Sequence, residues 1–82
     1  MNIKILGTGC ANCNKLELLV REVVGEMAVP AEIEHVREYK DIMSYGIMAT
    51  PGLVVDDEVR SSGRIPSEAE VTSWIVSALA KG

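Results

Sequence analysis

The fold is decided by residues 2–13, which read NIKILGTGCANC. The run opens with short, β-rich residues and passes through a Gly-Thr-Gly turn to a Cys-X-X-Cys pair at Cys10 and Cys13. Beyond Cys13 the apolar residues recur with helical spacing, at Leu16, Leu19, Val20, Val23, Val24 and Met27. The stretch therefore predicts a strand, a cysteine-bearing turn and a helix that runs from about the first cysteine to Met27.

The next segments continue the alternation of strands and helices. Gly25 weakens the end of the first helix, and Pro30 prevents its continuation. Residues 31–36 alternate in polarity, which is typical of a strand with one wetter face at a sheet edge. A short helical stretch around residues 39–45 stops at Gly46.

The last third of the chain predicts a hairpin and a final helix. Residues 53–55 and 58–62 are strand-like and flank the turn pair Asp56-Asp57. Residues 67–70 read Ser-Glu-Ala-Glu, a capping box that opens a helix. The apolar face of this helix is predicted at Val71, Trp74, Ile75, Ala78 and Leu79.

The resulting order, β-α-β-α-β-β-α, predicts an α/β fold. A strand-helix-strand unit forms a parallel pair through a right-handed crossover, and a hairpin adds antiparallel strands. We expect a four-stranded mixed sheet with helices on both faces, built by residues 1–82 as a single domain.

Composition and charge exclude several classes of function. The 12 acidic and 8 basic residues give a net charge of −4 without a Lys/Arg cluster, so we expect no nucleic-acid partner. The first residues lack a basic stretch before a long apolar run, and no apolar run approaches the length of a membrane span. We expect a cytoplasmic protein that does not bind membranes.

The spacing of the two cysteines favours reactivity over stapling. A disulfide across so short a loop stabilises a fold by only about 2 kcal/mol. Cys10 would lie at the start of a helix, where free N–H groups and the helix dipole lower a thiol pKa to about 7. We therefore predict that Cys10 is the nucleophile of thiol-disulfide exchange and that Cys13, one turn further in, is the resolving thiol.

Thr50-Pro51 is the second element of the predicted site. An X-Pro bond ahead of a strand can be held cis, which frees the Thr50 backbone to pair with an extended substrate segment. In that position the proline also blocks access of a metal to the thiols. The chain therefore predicts a substrate-binding loop next to the cysteine pair.

Three segments, GTGCANC at 7–13, ATPGLVVD at 49–56 and SGR at 62–64, resemble the small prokaryotic thioredoxin-like proteins described as redox-active disulfide proteins. The resemblance covers essentially the whole chain. It implies a trimmed, glutaredoxin-sized thioredoxin fold with Pro51 as the cis-proline and Gly63 as half of the Gly-Gly that helps glutaredoxins hold glutathione. Typical thioredoxins keep a buried acid in the strand before the cysteines, whereas the only charged residue among positions 1–9 is Lys4.

The same resemblance implies the activity and its partners. We expect a thiol-disulfide oxidoreductase that reduces protein disulfides and takes electrons from a thioredoxin-reductase-type enzyme. We expect a monomer with no cofactor and no resident metal.

The alternative is a soft-metal module, because heavy-metal-associated domains also place a Cys-X-X-Cys pair between a first strand and a first helix and bind Cu(I) with two thiolates. Those domains usually carry a methionine where this chain has Thr8, and they end in a strand where a helix is predicted here. They also lack the Thr-Pro element. Thiol-disulfide exchange is therefore the favoured function.

Other chemically active side chains receive structural interpretations. His35 is expected at the surface or the sheet edge, and Trp74 in the core. Met48 is expected to fill the core or line a groove, and Arg64 to be a solvated loop residue.

Overall fold

A computed structural model describes residues 1–9 and 11–81 of the chain. Strands and helices follow the predicted order. The strands are β1 (Asn2–Leu6), β2 (Glu32–Val36), β3 (Gly52–Val55) and β4 (Glu58–Ser62), and the helices are α1 (Ala11–Met27), α2 (Tyr39–Ser44) and α3 (Glu68–Lys81). Within the described residues, no helix is long and apolar enough to cross a membrane.

The strands form one mixed sheet of four in the order β2-β1-β3-β4. β1 pairs in parallel with β2, whereas the β1-β3 and β3-β4 pairs are antiparallel. Leu6, the last residue of β1, lies opposite Val36 at the end of β2 and Gly52 at the start of β3. The segments that follow β1 and β2 therefore meet the segment that precedes β3 at one end of the sheet.

Helices cover both faces of the sheet, which confirms the predicted fold. The core under α1 and α3 consists of Ile3, Ile5, Leu16, Val20, Val23, Leu53, Val55, Val71, Ile75 and Ala78. The smaller core on the side of α2 consists of Leu6, Val36, Ile42, Ile47 and Val54. Trp74 packs against the first core, as predicted, but Leu79 is half exposed, so its assignment to the apolar face of α3 is wrong.

Local sequence explains the hairpin and the start of α3. Asp56 and Asp57 both have positive φ, 46° and 67°, as a tight type I′ hairpin turn requires. Before α3, the Ser67 hydroxyl accepts a hydrogen bond from the Glu70 backbone N–H at 3.1 Å, and the Glu70 carboxylate accepts one from the Ser67 N–H at 3.0 Å. The predicted turn and capping box are both confirmed.

α1 ends at Met27, as predicted, and Ala28 closes it. Ala28 has φ 53°, and its N–H donates to the Gly25 carbonyl while the Val29 N–H donates to the Val24 carbonyl, both at 3.2 Å. These two bonds form a Schellman motif, which satisfies the last carbonyls of a helix. Gly25 is therefore an ordinary helical position.

Replacing Gly25 with alanine is expected to stabilise the protein by about 0.5–1 kcal/mol. Gly25 is exposed and a Cβ there would have no neighbour within 4 Å, so alanine gains helix propensity without a clash. Urea denaturation followed by circular dichroism measures the change. A free energy of unfolding that falls or stays constant would contradict this expectation.

Candidate active site

Cys13 lies in the first turn of α1, and its side chain is fully buried. Cys13 is not a free thiol in this structure. Burial is what the resolving role requires, because a shielded thiol reacts with its neighbour in the same chain before it reacts with a substrate. Cys10 lies outside the described residues, so its exposure, its pKa and its pairing with Cys13 stay predictions.

Gly7 is the residue against which the Cys13 side chain packs. A Cβ atom at position 7 would overlap the Cys13 sulfur and lie 3.1 Å from the Cys13 Cβ. The Gly7 N–H donates to the Val36 carbonyl at 3.0 Å, which fixes the turn after β1 to the end of β2. Gly7 does not have a positive φ, so glycine is needed here for close approach alone. The sequence predicted Gly7 only as a turn residue. A glycine between a strand and a Cys-X-X-Cys pair could also have indicated close packing of a cysteine side chain against the backbone.

The three predicted substrate-binding residues lie together. The Thr50-Pro51 bond is cis, as predicted. The Pro51 carbonyl accepts a hydrogen bond from the Gly63 N–H at 2.9 Å. Gly63 has φ 75°, and a Cβ atom added there would lie only 3.0 Å from the Ala49 Cβ, so a side chain at this position would be crowded. The Thr50 Cβ in turn would lie 4.0 Å from a Cβ at Gly7, so Thr50 and Cys13 flank the same glycine.

An open, largely apolar groove of about 450 Å³ adjoins this loop. It runs from Thr8 across α2 to Thr50, and the side chains of Tyr39, Met43 and Met48 line it. Met48 is 97% exposed and Tyr39 is 69% exposed. The expectation that Met48 lines a groove is confirmed, and its thioether is open to whatever enters the groove.

Arg64 is held by α3 and does not extend freely into solvent. Its two terminal nitrogens donate to the two carboxylate oxygens of Glu70, at 3.0 and 2.7 Å. These bonds and the Ser67 backbone N–H lower the pKa of Glu70 to about 2. The expected solvated arginine is thus half exposed but paired, and Arg64 braces the segment between β4 and α3.

Lys4 occupies the strand that carries a buried acid in typical thioredoxins. Its ammonium donates to the Tyr45 hydroxyl at 2.9 Å and lies 5.6 Å from the centre of the Tyr45 ring. The hydrogen bond to Tyr45 is the main cause of a raised Lys4 pKa. A protonated lysine engaged in this way cannot accept a proton from a thiol.

His35 lies in β2, the edge strand of the sheet, as expected, but its side chain is not at the surface. Its side chain is 8% exposed, and its Nδ1 lies 2.9 Å from a Glu17 carboxylate oxygen. His35 stands opposite Ile5 in the sheet, and Ile5 belongs to the core under α1, so α1 covers the histidine as well. Glu17, which also accepts from Arg21 at 3.2 Å, thereby ties α1 to β2.

Replacing Glu17 with glutamine is expected to lower stability by about 1–2 kcal/mol at pH 7. The hydrogen bond from His35, followed by that from Arg21, lowers the pKa of Glu17 in the folded protein. A lowered folded pKa adds stability above the unfolded value of about 4.5, and that stability is lost as the pH falls through the folded pKa. The gap between wild type and Glu17→Gln therefore closes below about pH 4.5.

Urea denaturation at pH 7 and at a series of acidic pH values measures this gap. Glu22→Gln is the matched control, since Glu22 is exposed on the same helix and makes no ion pair within the described residues. A gap that persists unchanged at low pH would show that the Glu17 carboxylate contributes no charge-dependent stability.

Comparison with known proteins places the chain in a family. Residues 1–76 match the family model described as the thioredoxin domain. A thioredoxin from Methanothermobacter thermautotrophicus is 46% identical over 71 residues, which span 87% of this chain and 92% of the relative. A thioredoxin from Methanocaldococcus jannaschii is 36% identical over 77 residues, which span 94% of this chain and 88% of the relative.

These relatives do not support the copper-binding alternative. Thioredoxins are thiol-disulfide oxidoreductases, and both the sheet order and the helix after the hairpin agree with their fold. The family model covers residues 1–76, which include every element around the site, and the two relatives are each matched over most of their own length. The chain therefore belongs to the thioredoxin family.

Proposed function

We propose that the chain reduces disulfide bonds of proteins by dithiol-disulfide exchange at Cys10 and Cys13. The strongest support is the position of Gly7, because the buried Cys13 and the Thr50 side chain both lie against it. Two segments far apart in the sequence thus meet at one end of the sheet, as nucleophilic attack on a bound disulfide requires.

The proposed reaction transfers two electrons from the protein to the substrate. The Cys10 thiolate attacks one sulfur of the substrate disulfide, the substrate S–S bond breaks, and the other substrate sulfur leaves as a thiolate that takes up a proton. The Cys13 thiolate then attacks Cys10 in the mixed disulfide and releases the second substrate sulfur, which also takes up a proton. The protein is left with a Cys10-Cys13 disulfide.

The loop around Pro51 suits an extended substrate segment. Thr50 is exposed, whereas Pro51 and Gly52 are buried, so the backbone of Thr50 is the part of this loop that a substrate reaches. An extended peptide paired with it would place side chains toward the apolar groove beside Met48. Gly63 supports this arrangement through its hydrogen bond to the Pro51 carbonyl.

The proposal also names partners, an oligomeric state and a location, for which the family and the charge are the support. A thioredoxin-reductase-type enzyme reduces the Cys10-Cys13 disulfide again after each reaction. The protein works as a monomer in the cytoplasm, where thiols are kept reduced. The net charge of −4 and the lack of a Lys/Arg cluster in the sequence argue against a nucleic-acid partner.

An NADPH-coupled assay with a thioredoxin reductase from the same source and insulin as substrate tests this function. We expect NADPH oxidation that requires the protein, and none with the Cys10→Ser/Cys13→Ser double variant. Gly25→Ala serves as a control that keeps the full rate, since Gly25 lies at the far end of α1. Dithiothreitol as an alternative donor separates the choice of reductase from the chemistry. Equal insulin reduction by wild type and double variant would overturn the proposal.

A further inference from the structure

Arg37 lies beside the residue that precedes the first cysteine. It follows Val36, whose carbonyl accepts the hydrogen bond from Gly7, so its backbone is fixed next to the turn after β1. A Cβ at Gly9, where φ is 93°, would lie 2.8 Å from Nη1 of Arg37. The guanidinium therefore occupies the space over Gly9, next in sequence to Cys10.

Arg37 forms no ion pair with the residues that the structure describes. Within residues 1–9 and 11–81, the other three arginines each pair with a carboxylate, Arg21 with Glu17, Arg60 with Glu58 and Arg64 with Glu70. Over the same residues, no carboxylate lies within ion-pair distance of Arg37, although Glu38 follows it directly. In a protein with net charge −4, the arginine that lies over Gly9 is thus the one that has no carboxylate partner among the described residues.

We propose that Arg37 is a specificity-determining residue that selects disulfides carrying a carboxylate close to the sulfur, such as peptide disulfides with an acidic residue beside the cysteine. The inference rests on the proposed exchange at Cys10 and Cys13. A guanidinium offers several N–H donors in a planar fork that fits a carboxylate. A substrate carboxylate that lies near Gly9 would bind the Arg37 guanidinium while the disulfide of the same substrate reacts with Cys10.

Three small disulfides of matched length test the charge preference. They are 3,3′-dithiodipropionate, hydroxyethyl disulfide and cystamine, which carry carboxylates, hydroxyls and ammonium groups on the same two-carbon arms. The pre-reduced protein is mixed with each disulfide, and second-order rate constants are measured from the released thiol. Comparing wild type with variant for each compound cancels the intrinsic reactivity of the compound.

Arg37→Gln is expected to slow the reaction with dithiodipropionate about threefold to tenfold at low ionic strength and to leave hydroxyethyl disulfide unchanged. Arg37→Lys retains most of the preference, and Arg37→Glu reverses it in favour of cystamine. High salt removes the difference between wild type and Arg37→Gln. Lys81→Gln is the control, because it removes one positive charge at the hairpin end of the sheet, where Lys81 pairs with Glu58.

The failures are distinguishable. Equal slowing of all three disulfides by Arg37→Gln would show that Arg37 acts on the thiol and not on the substrate charge, which overturns the inference. Unchanged rates for all three would overturn it as well. If the wild type reduces none of the three disulfides, the proposed exchange itself fails.

Discussion

Replacing Cys13 with serine is expected to leave a protein that attacks a substrate disulfide and then stays bonded to it. Cys10 is unchanged in this variant, so the first attack proceeds, but no second thiol remains to break the mixed disulfide. An intramolecular thiol acts at an effective concentration far above that of thiols in solution, so its loss slows release by several orders of magnitude. Replacing Cys10 with serine removes the first attack, because Cys13 is fully buried.

The two single variants are compared by incubation with an oxidised protein substrate, followed by non-reducing electrophoresis and mass spectrometry. Cys13→Ser is expected to accumulate a covalent complex with the substrate that dithiothreitol separates by reducing the mixed disulfide. Cys10→Ser is expected to form no such complex. In the reduced wild type, iodoacetamide at mildly acidic pH is expected to modify Cys10 well before Cys13. Complexes formed only by Cys10→Ser, or equal alkylation of both thiols, would contradict the assigned roles.

The order of elements could be predicted from the sequence because it depends on local patterns. The helical spacing of apolar residues after Cys13, the turn pair Asp56-Asp57 and the capping box at Ser67 each act over a few residues. In the structure, each of these signals lies where its own segment predicts it. The local sequence signals and the tertiary fold specify the same structure, which is why the order of elements can be predicted for so short a chain.

Contacts between distant segments could not be predicted in this way. His35 lies in a segment whose alternating polarity is typical of an edge strand with one wetter face. Whether the His35 side chain meets solvent depends on where α1 packs on the sheet. Arg37 looks like one of several surface charges until the β1-β2 pairing brings it over Gly9. The cis bond before Pro51 was expected partly from family resemblance, and hydrophobic periodicity alone does not specify it.

Gly7→Ala is expected to be the most damaging change of a residue outside the cysteine pair. The new methyl group would overlap the Cys13 sulfur, which is fully buried and has little space to move into. Overpacking of this kind costs about 1–3 kcal/mol. In a domain of this size each kcal/mol lowers Tm by about 4–8 °C. Because the Cys13 sulfur must be displaced, disulfide reduction is also expected to slow about 10- to 100-fold.

Gly25→Ala is the matched control for this prediction, since it adds the same methyl group at a position with no neighbour within 4 Å. The two variants are expected to shift Tm in opposite directions, downward for Gly7→Ala and upward for Gly25→Ala. Thermal unfolding is followed by circular dichroism in the oxidised and the reduced protein, and disulfide reduction is measured with dithiothreitol as donor. A Gly7→Ala variant with the Tm and the rate of the wild type would show that Cys13 does not need the space that the absent side chain leaves. A variant with a lower Tm but an unchanged rate would place the role of Gly7 in packing alone, because the sulfur would then have moved without effect on the exchange.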